Sequence, residues 1–141
     1  MANDPRLSHE VEFMVSFHDC DPMGVVWHGN YMRFFEVARE ALLEKFNYGY
    51  RAMQASGYGW PVVDLRVKYR AALTYDQRIR VRAAIEEYEN RLRIAYQIFD
   101  VDSGKRTTTG YTIQVAVAEE SRELSFVSPQ ILFDRLGVKP C

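Results

Sequence analysis

Cysteine is scarce in this sequence, no long apolar run is present, and the charges nearly cancel. The only two cysteines are Cys20 and Cys141, at a spacing that fits neither a disulfide framework nor a zinc knuckle, so we expect a cytoplasmic protein. No stretch is apolar for long enough to span a bilayer, and residues 1–6 lack the apolar segment of a signal peptide. Because the formal net charge is -1, no overall field attracts nucleic acid or an anionic membrane.

The composition is otherwise that of an ordinary globular protein. Hydrophobic residues make up 48% of the 141 positions and charged residues 26%, which disfavours intrinsic disorder. This length suits one domain over residues 1–141 with one core, and the recognisable elements fill about 9–137. No repeat or linker divides the chain.

Hydrophobic periodicity predicts one long helix and five strands. Apolar residues recur at spacings of three and four over residues 30–46, which predicts an amphipathic helix with an aromatic-rich face. Apolar, β-rich or alternating segments predict strands over 11–17, 62–70, 78–85, 91–99 and 107–118. Turn residues at 89–90 and 102–104 predict hairpins between the last three strands, and residues 48–59 predict a loop.

The alternation also predicts which strand residues face the core. In the second and fifth strands the predicted core set is Val63, Leu65, Val67, Tyr69, Tyr111, Ile113, Val115 and Val117. Ser128 is the predicted cap of a short helix that starts at Pro129 and ends at Gly137. One apolar helix and a sheet with one apolar face must pack together, so we predict an α+β fold in which a curved antiparallel sheet wraps around one long central helix.

The most informative stretch lies between the first strand and the long helix. It reads D-C-D-P-M-G-V-V-W-H-G-N-Y over residues 19–31, and F-F-E-V-A-R follows at residues 34–39. These residues resemble the patterns D-x-D-x-x-G-V-V-[YW]-[HY]-x-x-Y and F-[FY]-E-x-A-R of the acyl-CoA thioesterases in the 4-hydroxybenzoyl-CoA thioesterase and YbgC-like branch of the hotdog superfamily. The first pattern is matched at Asp19, Asp21, Gly24, Val25, Val26, Trp27, His28, Asn30 and Tyr31. The resemblance covers about residues 9–137 and implies a hotdog fold.

The resemblance implies that Asp21 is the catalytic carboxylate. A carboxylate with an ordinary pKa of about 3.9 is ionised at neutral pH. It can attack the thioester carbonyl to give a mixed anhydride, or it can deprotonate an attacking water. The alternative is a purely structural Asp21, because Asp before Pro is common in turns and helix entries.

The resemblance also places the His28 amide against the thioester oxygen, at the start of the long helix. A helix N-terminus offers free N–H groups and partial positive charge, which suit an oxyanion. Gly24 and Gly29 fit a backbone that approaches a ligand closely. Periodicity predicts that the helix starts nearer Asn30 or Tyr31. The helix must therefore begin one turn earlier for the His28 amide to serve as the oxyanion donor. The His28 side chain can orient Asp21 or water, or protonate the thiolate, but a thiolate leaves readily without help.

The predicted substrate-binding residues are Gly24, Val25, Trp27, Tyr31, Trp60 and Pro61. Core packing is the alternative for the large side chains among them, above all for Tyr31. In the hotdog fold, the position of Trp60 and Pro61 comes across from a second subunit toward the site. The resemblance therefore implies a homodimer or homotetramer, and open sheet edges are usually paired.

The polar face of the strands is rich in basic residues. They are Arg66, Lys68, Arg70, Arg78, Arg80, Arg82, Arg91 and Arg93. Such a row is most often a solvated or paired surface, and Glu86, Glu87 and Glu89 lie nearby in the sequence. The functional alternative is a contact for coenzyme A phosphates or an acidic acyl carrier protein. RNA binding needs aromatic residues on the same face, and here they are predicted on the core face, so no nucleic-acid partner is expected.

These observations predict an acyl thioesterase that acts on an acyl-CoA or acyl-carrier-protein thioester. We expect no metal and no cofactor, because no residues have metal-ligand spacing. A hydroxyacyl dehydratase on the same fold, using Asp21 and His28, is one alternative. A non-catalytic acyl-binding module is the other, and the intact motif around Asp21 argues against it.

Overall fold

The computed structural model describes residues 4–139, so Cys141 and half of the segment 1–6 discussed above lie outside the described residues. The elements are β1 (Ser8–Met14), α1 (Tyr31–Glu44), α2 (Tyr50–Ala55), β2 (Tyr58–Gly59), β3 (Val62–Tyr69), β4 (Arg78–Glu87), β5 (Leu92–Asp100), β6 (Arg106–Gln114), β7 (Val117–Ala118) and α3 (Gln130–Leu136). Short 3-10 turns lie at Pro5–Leu7, Phe17–Asp19 and His28–Asn30.

Five antiparallel strands form the main sheet in the order β1-β4-β5-β6-β3. β4, β5 and β6 are joined by the two predicted hairpins, whereas β1 returns from the start of the chain to pair with β4. β3 occupies one edge of the sheet. The small pair formed by β2 and β7 lies apart from the main sheet.

α1 packs across one face of this sheet and supplies the centre of the core. Phe34, Phe35, Ala38 and Leu42 on its apolar stripe are all fully buried. The Phe35 ring stacks on the Tyr96 ring of β5, with centroids 4.3 Å apart and planes 5° from parallel. The predicted α+β architecture, a curved sheet around one long helix, is confirmed.

The predicted core face of β6 is wrong, although Ile113 of the predicted set is buried. Thr112 of β6 pairs with Ile94 and Leu65, and its hydroxyl bonds the buried Tyr96 hydroxyl at 2.8 Å, so this alternate set faces α1. Tyr111 lies on the outer face, where the Arg93 guanidinium sits 4.0 Å from its ring centroid. The inversion has a steric reason at Gly110, where an added Cβ would lie 2.8 Å from the Phe35 ring.

The apolar side chains of β3 are not buried by the chain itself. Val63 is 57% exposed and Leu65 is 44% exposed, although Leu65 is on the α1 side of the sheet. An edge strand has a neighbour on one side only, and α1 contacts β3 through the Tyr31 and Tyr69 rings at the end of the strand. The prediction of core positions is therefore wrong for Val63 and Leu65 in the single chain, whereas Val67 is half-buried and packs against the core.

Several boundaries differ from the prediction. The predicted strand at residues 107–118 breaks after Gln114, and β7 pairs instead with β2 inside the predicted loop. That loop also contains the six-residue helix α2. Pro129 caps α3, and the buried Ser128 hydroxyl makes no hydrogen bond, so the predicted Ser128 cap is wrong by one residue. Gly137 ends α3 with a φ of 69°, as predicted.

Candidate active site

The motif between β1 and α1 folds as a tight hairpin. Cys20 forms an antiparallel bridge with Val26, and the Asp21 amide donates to the Val25 carbonyl at 2.9 Å. Gly24 supplies the left-handed turn with a φ of 82°, which a glycine adopts without strain. Val25, which is half-buried, also bridges to Thr74 in the segment that leads into β4. The hairpin is therefore anchored to the main sheet.

Asp19 is the buried anchor of this segment, with 1% of its surface exposed. One carboxylate oxygen accepts the Ser16 N–H at 2.9 Å, and the other pairs with the Arg33 guanidinium of α1. Its carbonyl oxygen accepts bonds from the Trp27 amide at 3.0 Å and the Asn30 side chain at 2.8 Å. Every polar group of Asp19 is thus used to hold the loop against the helix, which makes Asp19 structural.

Asp21 has a different environment, although it is only two residues away. It is half-buried, and one carboxylate oxygen accepts the Met23 amide at 2.8 Å. Among residues 4–139 its second carboxylate oxygen has no hydrogen-bond partner. Asp21 therefore presents a free oxygen at the protein surface, which is what a nucleophile or a general base requires.

The 3-10 turn His28–Asn30 resolves where the helix begins. α1 starts at Tyr31, as periodicity predicts, but the turn continues the helical path three residues further toward the N-terminus. Within the described residues the amides of His28 and Gly29 have no hydrogen-bond acceptor. The free N–H groups needed for an oxyanion are therefore present at the predicted position.

Trp27 and His28 are both exposed, and their rings lie 5.0 Å apart. The Trp27 ring also covers Gly29, where an added Cβ would lie 2.3 Å from a ring carbon. The indole therefore occupies the space that a side chain at position 29 would fill, and Trp27 would have to move to admit one. The structure shows no hydrogen bond from the His28 imidazole to another described residue, so its orienting role stays a prediction.

A cavity of about 200 Å³ opens beside His28 and is lined also by Val26, Tyr31, Tyr69 and Arg70. Tyr31 is fully buried, and its hydroxyl accepts the Leu73 amide at 3.3 Å, so it is mainly a core residue with one edge on this cavity. Burial raises the pKa of Tyr31, and the Leu73 hydrogen bond partly offsets this rise. Burial also raises the pKa of Tyr69.

Trp60 and Pro61 do not join this site within one chain. Trp60 is buried, donates to the Tyr48 hydroxyl at 3.2 Å, and lines a separate cavity of about 520 Å³. Polar residues of this second cavity include Glu36, Arg39 and Gln114. Buried atoms of Arg39 and Gln114 have no hydrogen-bond partner. Pro61 is exposed and lines a neighbouring hollow.

The two cavities lie at opposite ends of β3. The cavity with Trp60 opens beside Val62 and the one with His28 beside Tyr69. Seven residue steps along a strand correspond to roughly 24 Å.

Three of the eight residues in the basic row form ion pairs. Arg80 bonds Glu12 of β1 at 3.2 Å, Arg91 bonds Glu87 at 2.9 Å, and Arg93 bonds Glu86 at 3.0 Å. The other five make no ion pair within the part of the chain that the structure describes, and of these Arg70 lines the cavity beside His28.

Sequence reasoning gave no role in the site to three residues of this region, Arg33, Tyr69 and Asp19. Arg33 and Tyr69 act through long-range contacts to Asp19 and His28, and no local pattern reveals such contacts. Asp19 is recognisable as part of the motif, but its buried role depends on partners such as Arg33 that the motif does not contain.

Metal-binding clusters and membrane-spanning helices are absent from residues 4–139. No group of three or more metal-ligating side chains lies within this range. None of the helices described combines the length and the apolar character needed to cross a membrane.

Comparisons with known proteins bear on this geometry. Residues 15–133 match the family model of the thioesterase-like superfamily. This chain belongs to that superfamily. YneP of Bacillus subtilis, which has the provisional name acyl-CoA thioesterase, is 31% identical over 92% of the chain and 82% of its own length. The 4-hydroxybenzoyl-CoA thioesterase of Pseudomonas sp. is 26% identical over 77% of the chain and 76% of its own length.

A solved structure agrees with these relatives. The DHNA-CoA thioesterase of Staphylococcus aureus is 32% identical and superposes with a TM-score of 0.77 over 83% of the chain and 78% of its own. The hotdog fold predicted for this thioesterase is thereby confirmed, and so is its reaction class, thioester hydrolysis. The family and its relatives give no support to the alternatives of a dehydratase or a non-catalytic module.

Proposed function

We propose that this thioesterase hydrolyses acyl-CoA thioesters, with Asp21 as the catalytic carboxylate and the His28 amide as oxyanion donor. The observation that carries this proposal is the hairpin itself. It leaves one Asp21 oxygen free, and it leads directly into a turn whose first amides are also free. A negative attacking group and positive N–H dipoles thus belong to one rigid segment.

Asp21 has two possible parts in the reaction. In one, its oxygen attacks the thioester carbonyl, the C–S bond breaks, and water then hydrolyses the mixed anhydride. In the other, Asp21 takes a proton from the water that attacks the carbonyl. Both routes put negative charge on the carbonyl oxygen, where the free amide at His28 stabilises it. Single turnover in ¹⁸O-labelled water tests the first route, because attack of water on the Asp21 carbon of the anhydride leaves an unlabelled Asp21 oxygen in the product, whereas the second route always places ¹⁸O there.

We also propose that two copies complete the site. β3 is an open edge with exposed apolar side chains, including Val63 and Leu65, and such edges are usually paired. Antiparallel pairing of two β3 strands would bring the Val62 end of one beside the Tyr69 end of the other. The cavity with Trp60 in one copy would then adjoin the cavity with His28 in the other and receive the acyl group. Two such dimers can associate into a tetramer.

Our proposal for the carrier of the acyl group rests on the basic residues near the site. Arg70 is unpaired beside the cavity with His28, so we propose that it attracts the coenzyme A phosphates. An acyl carrier protein also presents phosphate and carboxylates, and it is the alternative carrier. The arginines of β4 are less suited to this role, since none of them lines that cavity and Arg80 is already paired with Glu12. The free thiol of Cys20 agrees with the cytoplasmic location that we propose.

The decisive experiment is Asp21→Asn on a panel of acyl-CoA thioesters, with the released thiol trapped by a dye. We expect kcat to fall by at least about a hundredfold, the scale of acid–base catalysis, with the fold intact. Asp102→Asn is the matched control, because Asp102 is an exposed turn residue remote from the motif in sequence. Near-wild-type turnover by Asp21→Asn would refute the assignment.

A further inference from the structure

Tyr69 is the last residue of β3 and links this edge strand to the turn at the start of α1. Its hydroxyl donates a hydrogen bond to the His28 carbonyl oxygen at 2.8 Å. Its ring meets the Tyr31 ring edge-on, with centroids 4.7 Å apart and planes at 86°. Because Tyr31 is itself buried and bonded to the Leu73 amide, the Tyr69 ring has a fixed support on the core side.

The bond acts on one peptide unit, which joins His28 to Gly29. In a trans peptide the C=O and the N–H point in opposite directions, and no described peptide is cis. Fixing the His28 carbonyl therefore fixes the direction of the Gly29 N–H. That N–H makes no hydrogen bond within residues 4–139, and neither does the His28 N–H before it.

The bond also changes the strength of this donor. Hydrogen bonds in a chain polarise one another, so an amide whose C=O accepts a bond donates more strongly through its N–H. Tyr69 can give its proton to the carbonyl throughout the neutral range, because burial raises the pKa of its hydroxyl above the ordinary 10.0.

We propose that Tyr69 is a positioning residue, whose hydroxyl directs and polarises the His28–Gly29 peptide so that the Gly29 amide joins the His28 amide as a donor to the thioester oxygen. This proposal rests on the proposed function, in which the oxyanion forms at this turn. The proposal also gives β3 a second role. The strand that would pair with another copy also holds the His28–Asn30 turn in place.

Tyr69→Phe tests the proposal, because it removes the hydroxyl and keeps the ring against Tyr31. We expect kcat to fall about tenfold, less than the loss of a whole oxyanion donor, while KM stays within about twofold. Tyr111→Phe is the matched control. It removes a hydroxyl from the outer face of β6, the strand next to β3, where the nearest side-chain partner is Asp64 at 3.5 Å. The control should keep wild-type kcat.

A second readout separates positioning from general support of the fold. The amide proton of Gly29 should move upfield in the ¹H–¹⁵N spectrum of Tyr69→Phe, with little change at residues remote from the turn. Unchanged kcat, or a lowered kcat without the Gly29 shift, would overturn the proposal. A raised KM at unchanged kcat would also overturn it, since Tyr69 would then contact the substrate directly. If the wild type hydrolyses no acyl-CoA, the proposed function fails, and the Gly29 shift still reports whether Tyr69 polarises the peptide.

Discussion

The two aspartates of the D-x-D motif should fail in different ways when each is changed to asparagine. Asp19 is buried, and both of its carboxylate oxygens are bonded, to the Ser16 amide and to Arg33. Asp21 is half-buried and has one bonded oxygen. We therefore expect Asp19→Asn to lose stability and Asp21→Asn to lose activity.

The magnitude for Asp19→Asn follows from its partners. The asparagine oxygen can still accept the Ser16 N–H, but its NH₂ group would then face the Arg33 guanidinium, so two donors meet in a buried site. Losing the charge-assisted bond and leaving buried donors unpaired costs about 2 kcal/mol of folding stability. This cost is smaller than that of breaking a fully buried pair, because Arg33 is half-exposed and can turn toward water. For 141 residues this corresponds to a melting temperature about 7 °C lower.

The assay pairs thermal denaturation with thioester hydrolysis for both variants. Asp21→Asn should melt within about 2 °C of the wild type, because its remaining oxygen can accept the Met23 amide. Asp19→Asn should keep measurable turnover at temperatures where it is folded. Equal melting temperatures for Asp19→Asn and the wild type, or an Asp21→Asn that melts as low as Asp19→Asn, would refute this division of roles.

Three further predictions concern assembly, carrier and pH. Leu65→Glu should give monomers by sedimentation velocity and abolish activity, and an active monomer at micromolar concentration would contradict the shared site. Arg70→Ser should raise KM for acyl-CoA at low salt with little change in kcat, and it should leave a pantetheine thioester unaffected; equal KM for variant and wild type would contradict a phosphate contact. Because burial raises the pKa of Tyr31, Tyr69 and Tyr96 above 10.0, the unfolded chain loses these protons first, so the free energy of unfolding should fall above about pH 10. A constant urea midpoint across that range would contradict it.

The elements that periodicity describes directly could be predicted from the sequence. α1 lies within the predicted helix, because its apolar stripe faces a single sheet. β4 and β5 alternate between buried and half-buried positions, since one face packs on α1 and the other meets solvent. In these elements local pattern and final environment agree.

β6 shows where hydropathy fails. Its core face carries Gly110 and Thr112, which look polar or neutral, and its outer face carries Tyr111, which looks apolar. The Tyr96 hydroxyl satisfies Thr112, and the Phe35 ring fills the space over Gly110. The placement of Gly110 and Thr112 on the core face depends on partners from other elements, so it cannot be predicted from the sequence of β6 alone.

The candidate site likewise contains residues that could be predicted from the sequence and contacts that could not. Asp21 and His28 could be proposed because they belong to one contiguous motif. The contact between Tyr69 and His28 spans 41 positions, and Trp60 lies in a cavity of its own within the single chain. Neither relation has a local signal, because the first depends on sheet topology and the second depends on the dimer that we propose.

The pairing of β1 with β4 has a kinetic consequence. Val11 pairs with Val81, seventy positions further along the chain, whereas β4, β5 and β6 are joined by short hairpins. Contacts that close long loops form slowly, so we expect the hairpins to form early and β1 to join late in folding. The active-site hairpin follows β1 and is fastened to the segment before β4 by the bond from the Val26 amide to the Leu73 carbonyl. Newly made chains should therefore acquire most of their sheet before they acquire catalytic competence.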